Sequence, residues 1–220
     1  TLIAALVAAL KELRIKPVLL APTGRAAKVL ARYCGEQALT IHKRIYRQRT
    51  NADYESKFSL DFNREQGAVF IVDEASMLSD STGDGALFGS GSLLEDLVSY
   101  VRSGRSCRLI LVGDSAQLPP VGCDFSPALD PATVSRYGEV VYGLMDEVVR
   151  QQMQSGILFN ATLVRCMLEN RIYEIPKFEM DYPDFESVEG GDFMEKLQDA
   201  FDRYGRDEVI VITRSNKRAN

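Results

Sequence analysis

Two apolar runs that break into polar residues at their carboxyl ends constrain this chain more than anything else in it. Phe70-Ile71-Val72 runs into Asp73-Glu74-Ala75-Ser76-Met77, and Leu109-Ile110-Leu111-Val112 runs into Gly113-Asp114-Ser115-Ala116-Gln117-Leu118-Pro119-Pro120. Unbroken apolar character, without alternation, marks strands covered on both faces, which is the condition of a parallel sheet between two layers of helices. Val18-Leu19-Leu20-Ala21, opened by Pro17, is a third run of the same kind. Between the runs lie helix-favouring stretches: an Ala-rich one over 1–14, one over 24–34 with Ala26, Ala27, Val29 and Leu30 on its buried side, and one over 93–101. Alternation of this kind predicts an α/β, doubly wound parallel sheet flanked by helices on both faces.

The remaining segments are less regular. Residues 50–66 are polar and read as a hairpin or as a loop over the basic region, and 79–92 is a Gly/Ser-dense connection of mobile composition. A short helix is predicted within 126–137 and a short strand over Glu139–Tyr142. Ser155 can cap a helix over 156–170 whose apolar side carries Ile157, Leu158, Ala161, Leu163, Val164, Met167 and Leu168. A helix over 192–204 precedes Val209-Ile210-Val211-Ile212-Thr213, read as a strand that begins something further.

Composition excludes several classes. The four cysteines, Cys34, Cys107, Cys123 and Cys166, form no Cys-x-x-Cys unit, so neither a zinc site nor a disulfide framework is indicated. His42 is the only histidine, which makes a His-rich metal site or a Ser-His-Asp triad a poor reading. No run is long enough to span a bilayer and the amino terminus has no signal-peptide pattern, so no membrane partner and a cytoplasmic address are expected. The net charge of −5 is unevenly spread: Arg25, Lys28, Arg32, Lys43, Arg44, Arg47 and Arg49 face a single acid, Glu36, over 25–49, whereas 174–208 is rich in Asp and Glu. The basic stretch is either a phosphate-neutralising stripe or a solvated helix face.

Residue chemistry narrows the field. An aspartate at a strand tip, Asp73, can hold Mg²⁺ through water, and the next carboxylate, Glu74, can orient and deprotonate an attacking water; acidic pairs at strand ends also serve as helix caps. Gly113 permits a tight turn, Asp114 follows it, and the amide of Gln117 can reach a γ-phosphate oxygen or the lytic water. Pro22-Thr23-Gly24-Arg25 ends one strand and starts a helix, a cradle of backbone N–H groups, hydroxyl and cation suited to a nucleic-acid phosphate. Thr40-Ile41-His42 supplies a second backbone contact or, in His42, a packed core side chain.

In this order the segments resemble superfamily 1 DNA helicases, most closely the RecD-like branch that includes the exodeoxyribonuclease V alpha subunit. The resemblance covers about 1–165 and resumes at 209–220. It implies a RecA-like P-loop NTPase fold, with Pro22, Thr23, Gly24, Arg25, Thr40 and His42 on single-stranded DNA and Asp73-Glu74 as the Walker B pair. It further implies Gly113, Asp114 and Gln117 as the γ-phosphate motif and Arg150, within Glu147-Val148-Val149-Arg150-Gln151, on the nucleotide phosphates. ATP and Mg²⁺ as cofactors, 5′-to-3′ movement, work in repair, recombination or mobile-element processing, and other recombination or repair subunits as partners also follow from the resemblance. The sequence departs from the family pattern in having no Gly-x-x-x-x-Gly-Lys-Ser/Thr loop, so the phosphate-binding loop is expected to lie outside this chain and the fragment to turn over little ATP. The expected division is a first RecA-like motor domain over 1–170, an acidic connecting segment over 171–208, and the first strand of a second RecA-like domain over 209–220. The rival readings are an AAA-type ATPase or clamp-loader-like remodeller, and a degenerate helicase domain that only binds DNA or a partner.

Overall fold

The computed structural model describes residues 2–50, 56–80, 88–145, 155–213 and 215. Two compact units are present, Thr1–Leu144 and Met145–Asn220.

The first unit is built on a sheet of four parallel strands in the order β2-β1-β5-β6, where β1 is Pro17–Ala21, β2 Ala38–Thr40, β5 Val69–Val72 and β6 Arg108–Leu111. Its register pairs Leu20 with Val72 and Val72 with Leu111, and Ala21 with Thr40, so the four carboxyl ends share one rim. Each strand is apolar on both faces because both are covered. Leu19, Val69, Ile71 and the half-buried Ile110 join one core with Ile3, Val7 and Leu10 of helix α1, Leu2–Glu12, and Leu30 of α2, Gly24–Cys34. Ile3, Val7 and Leu10 recur at the helical period, which is why α1 lays a single stripe on the sheet.

Leu20, Phe70 and Val72 enter the opposite core with Ile41 and Ile45 of α3, Ile41–Ile45, and Leu94, Leu97, Val98 and Val101 of α4, Leu93–Ser103. Phe70 is fully buried and meets Tyr100 edge-on, with ring centroids 6.0 Å apart. Burying a side chain of that size contributes about 1.5–3 kcal/mol. Helices therefore cover both faces, and the expected RecA-like α/β class holds.

Local chemistry sets the element boundaries. Thr23, Thr40 and Ser92 accept the amides of Ala26, Lys43 and Glu95 and so cap α2, α3 and α4. Gly35 ends α2 in the left-handed conformation at φ 64°, returning its N–H to the Ala31 carbonyl. The polar stretch after α3 is a hairpin, β3 Tyr46–Thr50 against β4 Ser56–Leu60. At the sheet's other end, Glu65 binds Lys16 at 2.8 Å and Arg44 at 2.7 Å, and these partners hold its carboxyl below the usual glutamate range. The Lys16 hydrogen bond leads that effect.

Two sequence expectations for this unit are corrected. The helix expected within 126–137 is broken into two 3-10 turns, Pro127–Leu129 and Ser135–Tyr137, around the four-residue α5, Pro131–Val134. Asp130 caps α5 and Gly138 ends the run, which leaves no room for a longer helix. Glu139–Tyr142 forms no strand and is exposed throughout, because no sheet edge accepts its backbone groups. Within the mobile-composition connection, 81–87 lie outside the described residues.

In the second unit, α6 is Gly156–Glu169 and α7 is Phe193–Tyr204. Ser155 caps α6, and Asp184 accepts from Ser155 Oγ at 2.6 Å and from the Gly156 amide at 2.7 Å. Asn160 ties the helix to Glu179 through both ends of its amide. Of the expected apolar side of α6, Leu158, Leu163, Val164 and Met167 are half-buried and Ile157, Ala161 and Leu168 are exposed, while the buried positions of the helix are Gly156 and Asn160. The strand expected at 209–213 is not formed, and Ile210 and Ile212 are exposed. No strand is present among the described residues of this unit, so an extended apolar run has no ladder to join.

Candidate nucleotide and nucleic-acid site

Every sequence-predicted site residue among the described ones lies at or just beyond the carboxyl rim of the sheet. In a parallel α/β sheet this rim is where ligands bind, because strand ends and helix starts converge there. Asp73 leaves β5 with its amide donated to the Leu20 carbonyl at 3.0 Å, which fixes it beside the exit of β1. Its Oδ1 accepts the Glu74 amide at 3.0 Å. Glu74 itself holds φ 56°, a left-handed conformation uncommon for a residue with a side chain. Both residues are half-buried.

The turn that follows is hung on the neighbouring strand. Ala75, Ser76 and Met77 form a 3-10 turn, and the Ala75 amide donates to the Val112 carbonyl at 2.9 Å. Gly113 sits directly on this turn: a Cβ there would stand 3.0 Å from the Ser76 nitrogen and 3.2 Å from the Ala75 nitrogen. The requirement for glycine is close approach of backbone, with no need for positive φ. Beyond it, Asp114 closes a tight turn, its Oδ1 accepting the Ala116 amide at 3.0 Å and its carbonyl the Gln117 amide at 3.1 Å. Gln117 is exposed. The exits of β5 and β6 are thus in contact through their backbones, while the Gln117 side chain projects from the rim into solvent.

On the other side of Asp73, Pro22 is half-buried and Thr23, Gly24 and Arg25 are exposed at the start of α2. Thr40 ends β2 beside Ala21, and its Oγ1 accepts the Lys43 amide at 3.2 Å. His42 is a packed side chain. Its ring lies 5.0 Å from Phe88 edge-on and 5.7 Å from Tyr46, and burial lowers its pKa. Tyr46 donates to Asp96 at 2.6 Å and its hydroxyl pKa is pushed up, first by burial and then by that bond. Arg150 lies outside the described residues.

The donor set fits magnesium. Among the described residues no three His, Cys, Asp or Glu side chains converge on a point, so no protein cage for a metal exists. Magnesium needs none, since it is held through one or two carboxylates with phosphate oxygens and waters completing its shell. Asp73 at a strand tip is a carboxylate of that kind. No residue here supplies the glycine-rich loop that would cradle a triphosphate.

The family model for the AAA domain matches residues 1–123, from α1 through the Gly113–Gln117 turn. The chain belongs to the AAA domain family. This AAA domain is a P-loop NTPase-like domain found in superfamily 1 helicases, and the chain is accordingly a nucleotide-binding, helicase-like ATPase domain. Comparison with the curated proteins found no match. No helix among the described residues is long and apolar enough to cross a membrane.

Sequence reasoning gave no role to Phe88 and Tyr46 around His42. Phe88 had no signal, because its contact with His42 is made only by the folded chain.

Proposed function

We propose that this AAA domain is the first motor domain of an ATP-dependent DNA helicase of the RecD-like branch. The observation that carries the reading is the shared rim: adjacent parallel strands deliver the Asp73–Glu74 pair, the Gly113–Gln117 turn and the Thr23–Arg25 helix start to one edge. A motor needs its fuel site and its track within reach of one another, and a single sheet edge provides that.

In this reading Asp73 would hold Mg²⁺ beside the nucleotide phosphates, and bound Mg-ATP would supply the phosphoryl group that passes to water as ADP leaves. Glu74, which follows Asp73 in a left-handed backbone conformation, would accept the proton of the attacking water. Gln117 donates its side-chain amide towards the γ-phosphate, and Arg150 stabilises charge in the transition state. Pro22, Thr23, Gly24 and Arg25 take a backbone phosphate of single-stranded DNA at the start of the 11-residue α2, where unpaired N–H groups and a cation favour an anion. Thr40 adds a contact one strand over, and His42, held by Phe88 and Tyr46, forms the wall of the track. Movement is 5′ to 3′, in repair, recombination or mobile-element processing, with other subunits of such pathways as partners. The first motor domain expected over 1–170 and the acidic connecting segment over 171–208 belong to the same proposal.

The test is ATP hydrolysis by the full-length protein with and without single-stranded DNA, in the parent and in Glu74→Gln. DNA should stimulate the parent rate, and Glu74→Gln should lower it by about 10²–10⁴-fold with nucleotide affinity retained. An unchanged rate in Glu74→Gln, or stimulation by a folded protein client in place of DNA, refutes the reading.

A further inference from the structure

We propose that the outward face of α2 carries single-stranded DNA beyond the rim, with Lys28 and Arg32 each taking a backbone phosphate and Tyr33 stacking on a base. This rests on the function proposed above, which brings DNA to the start of the helix at Thr23–Arg25.

The face follows from the helix itself. Ala27 and Leu30 are the buried residues of α2, and Leu30 joins a core against which Cys34 also packs. Helical geometry then directs Arg25, Lys28 and Arg32, at i, i+3 and i+7, away from the sheet. All three are exposed. They follow the axis in steps of about 4.5 and 6 Å, one cation to each turn. Beside them stand Val29 and Tyr33, 47% and 63% exposed.

A helix face made only for water has a different composition. It interleaves acids and bases four residues apart and sets acids in the first turn, where the helix dipole is positive. α2 contains no acid, and its first turn holds Arg25 instead. Glu36, the next acid in the chain, is engaged by Lys11. Among the described residues, the side chains of Arg25, Lys28 and Arg32 have no hydrogen-bond or ion-pair partner. Lys28 and Arg32 are moreover like charges at i, i+4, a pairing that destabilises a helix on its own. A partner that brings the missing negative charge removes that cost. The chain as a whole carries a net charge of −5, so a polyanion repelled by the rest of the body is steered to a cationic face such as this.

The neighbouring side chains select a single strand. Cations one turn apart follow a phosphate backbone without reading its sequence, and an exposed phenol ring beside them is a stacking platform for an unpaired base. Duplex bases are already stacked on each other and would leave Tyr33 uncovered. Because α2 begins at the rim with Thr23 and Arg25, a strand held there passes directly onto this face.

Anisotropy of a labelled oligothymidylate, titrated with the full-length protein at 50 to 200 mM salt, tests this. Each phosphate contact on a single strand contributes about 0.7 to the slope of log K against log salt, so Lys28→Gln/Arg32→Gln should reduce its magnitude by about 1.4. The parent's advantage should be largest at low salt and shrink about sevenfold across that range. Tyr33→Ala should weaken binding about fivefold or more at every salt concentration and leave the slope unchanged. These positions are exposed, so Tm should stay within about 2 °C of the parent's. Arg105→Gln/Arg108→Gln removes the same charge from exposed positions at and just before the start of β6, and should keep the parent's slope. A parent-like slope in Lys28→Gln/Arg32→Gln, an equal change in the Arg105 and Arg108 pair, or a larger loss on a blunt duplex than on the single strand overturns the inference. Parent-like binding by Tyr33→Ala does so as well. A parent that binds no single strand overturns the functional reading and this one with it. A parent whose ATP hydrolysis is stimulated by DNA and inactivated by Glu74→Gln, but whose slope is indifferent to Lys28 and Arg32, overturns this one alone.

Discussion

Gly113→Ala tests the contact on which the site geometry depends. The added methyl carbon would meet the Ser76 nitrogen at 3.0 Å, the Ala75 nitrogen at 3.2 Å and Leu129 Cδ1 at 3.0 Å. Leu129 can change rotamer, but the two nitrogens belong to a turn whose Ala75 and Ser76 are fully buried and which is bonded to Val112. Overpacking against backbone costs about 1–3 kcal/mol. Gly113 is absent from the positive-φ glycines, so alanine also restricts the unfolded chain and returns about 0.4–1 kcal/mol. At the middle of these ranges the net loss is about 1.3 kcal/mol, or a Tm lower by about 3–5 °C for a chain of this size. Urea unfolding measures it as a shift of midpoint at constant slope. Gly24→Ala is the control, since a Cβ there meets nothing within 4 Å, and it should be neutral or mildly stabilising. If Gly113→Ala is as stable as that control, the ends of β5 and β6 are not in the contact described.

Two further perturbations have signs fixed by the structure. Burial lowers the His42 pKa, so the folded state binds its proton less readily than the unfolded chain. Stability from the His42 cluster is therefore complete above the ordinary histidine pKa of about 6.5 and is lost as pH falls below it towards the folded value. His42→Phe should flatten the pH dependence of Tm in that range, and an unchanged profile would contradict the packing described. Glu65 behaves as a lowered carboxylate: its contribution is present above the usual glutamate pKa and is lost as pH falls through the folded value. Glu65→Gln should cost about 1–2 kcal/mol at neutral pH; although the Lys16 bond leads the carboxyl shift, water screens the exposed Lys16 more than the half-buried Arg44. Denaturant midpoints at neutral and acidic pH should converge for parent and variant, and a constant gap would show that the ion pairs are not the cause.

The central strands were legible because each is apolar on both faces, and α6 because Ser155 stands where a cap is needed. β2 was not, since Ala38-Leu39-Thr40 is too short to display any period. The hairpin after α3 stayed ambiguous with a loop because Arg47 and Gln48 are polar on both faces, and only pairing with β4 distinguishes the two. The runs at 139–142 and 209–213 have strand-like composition and no partner, which local sequence cannot reveal. At the site, the acidic pair, the glycine and the helix start at 22–25 were all readable, whereas the capping role of Thr23 was not. The packed state of His42 was one of two open readings, and what favours it is Phe88, which reaches it from a distant part of the chain.

The two-sided sheet also limits how this domain can change over evolutionary time. In β1, Leu19 belongs to one core and Leu20 to the other, and in β5 the same division separates Ile71 from Phe70 and Val72. Losing or gaining one residue inside either strand would exchange the occupants of the two compartments, placing Phe70 where Ile71 fits and carrying Asp73 off its anchor. Length variation is thereby excluded from the strands and directed to the connections, such as the hairpin and the Gly/Ser-rich segment. Lineages of this domain should accordingly differ in the size of those appendages while the strand lengths that aim the carboxylates stay constant.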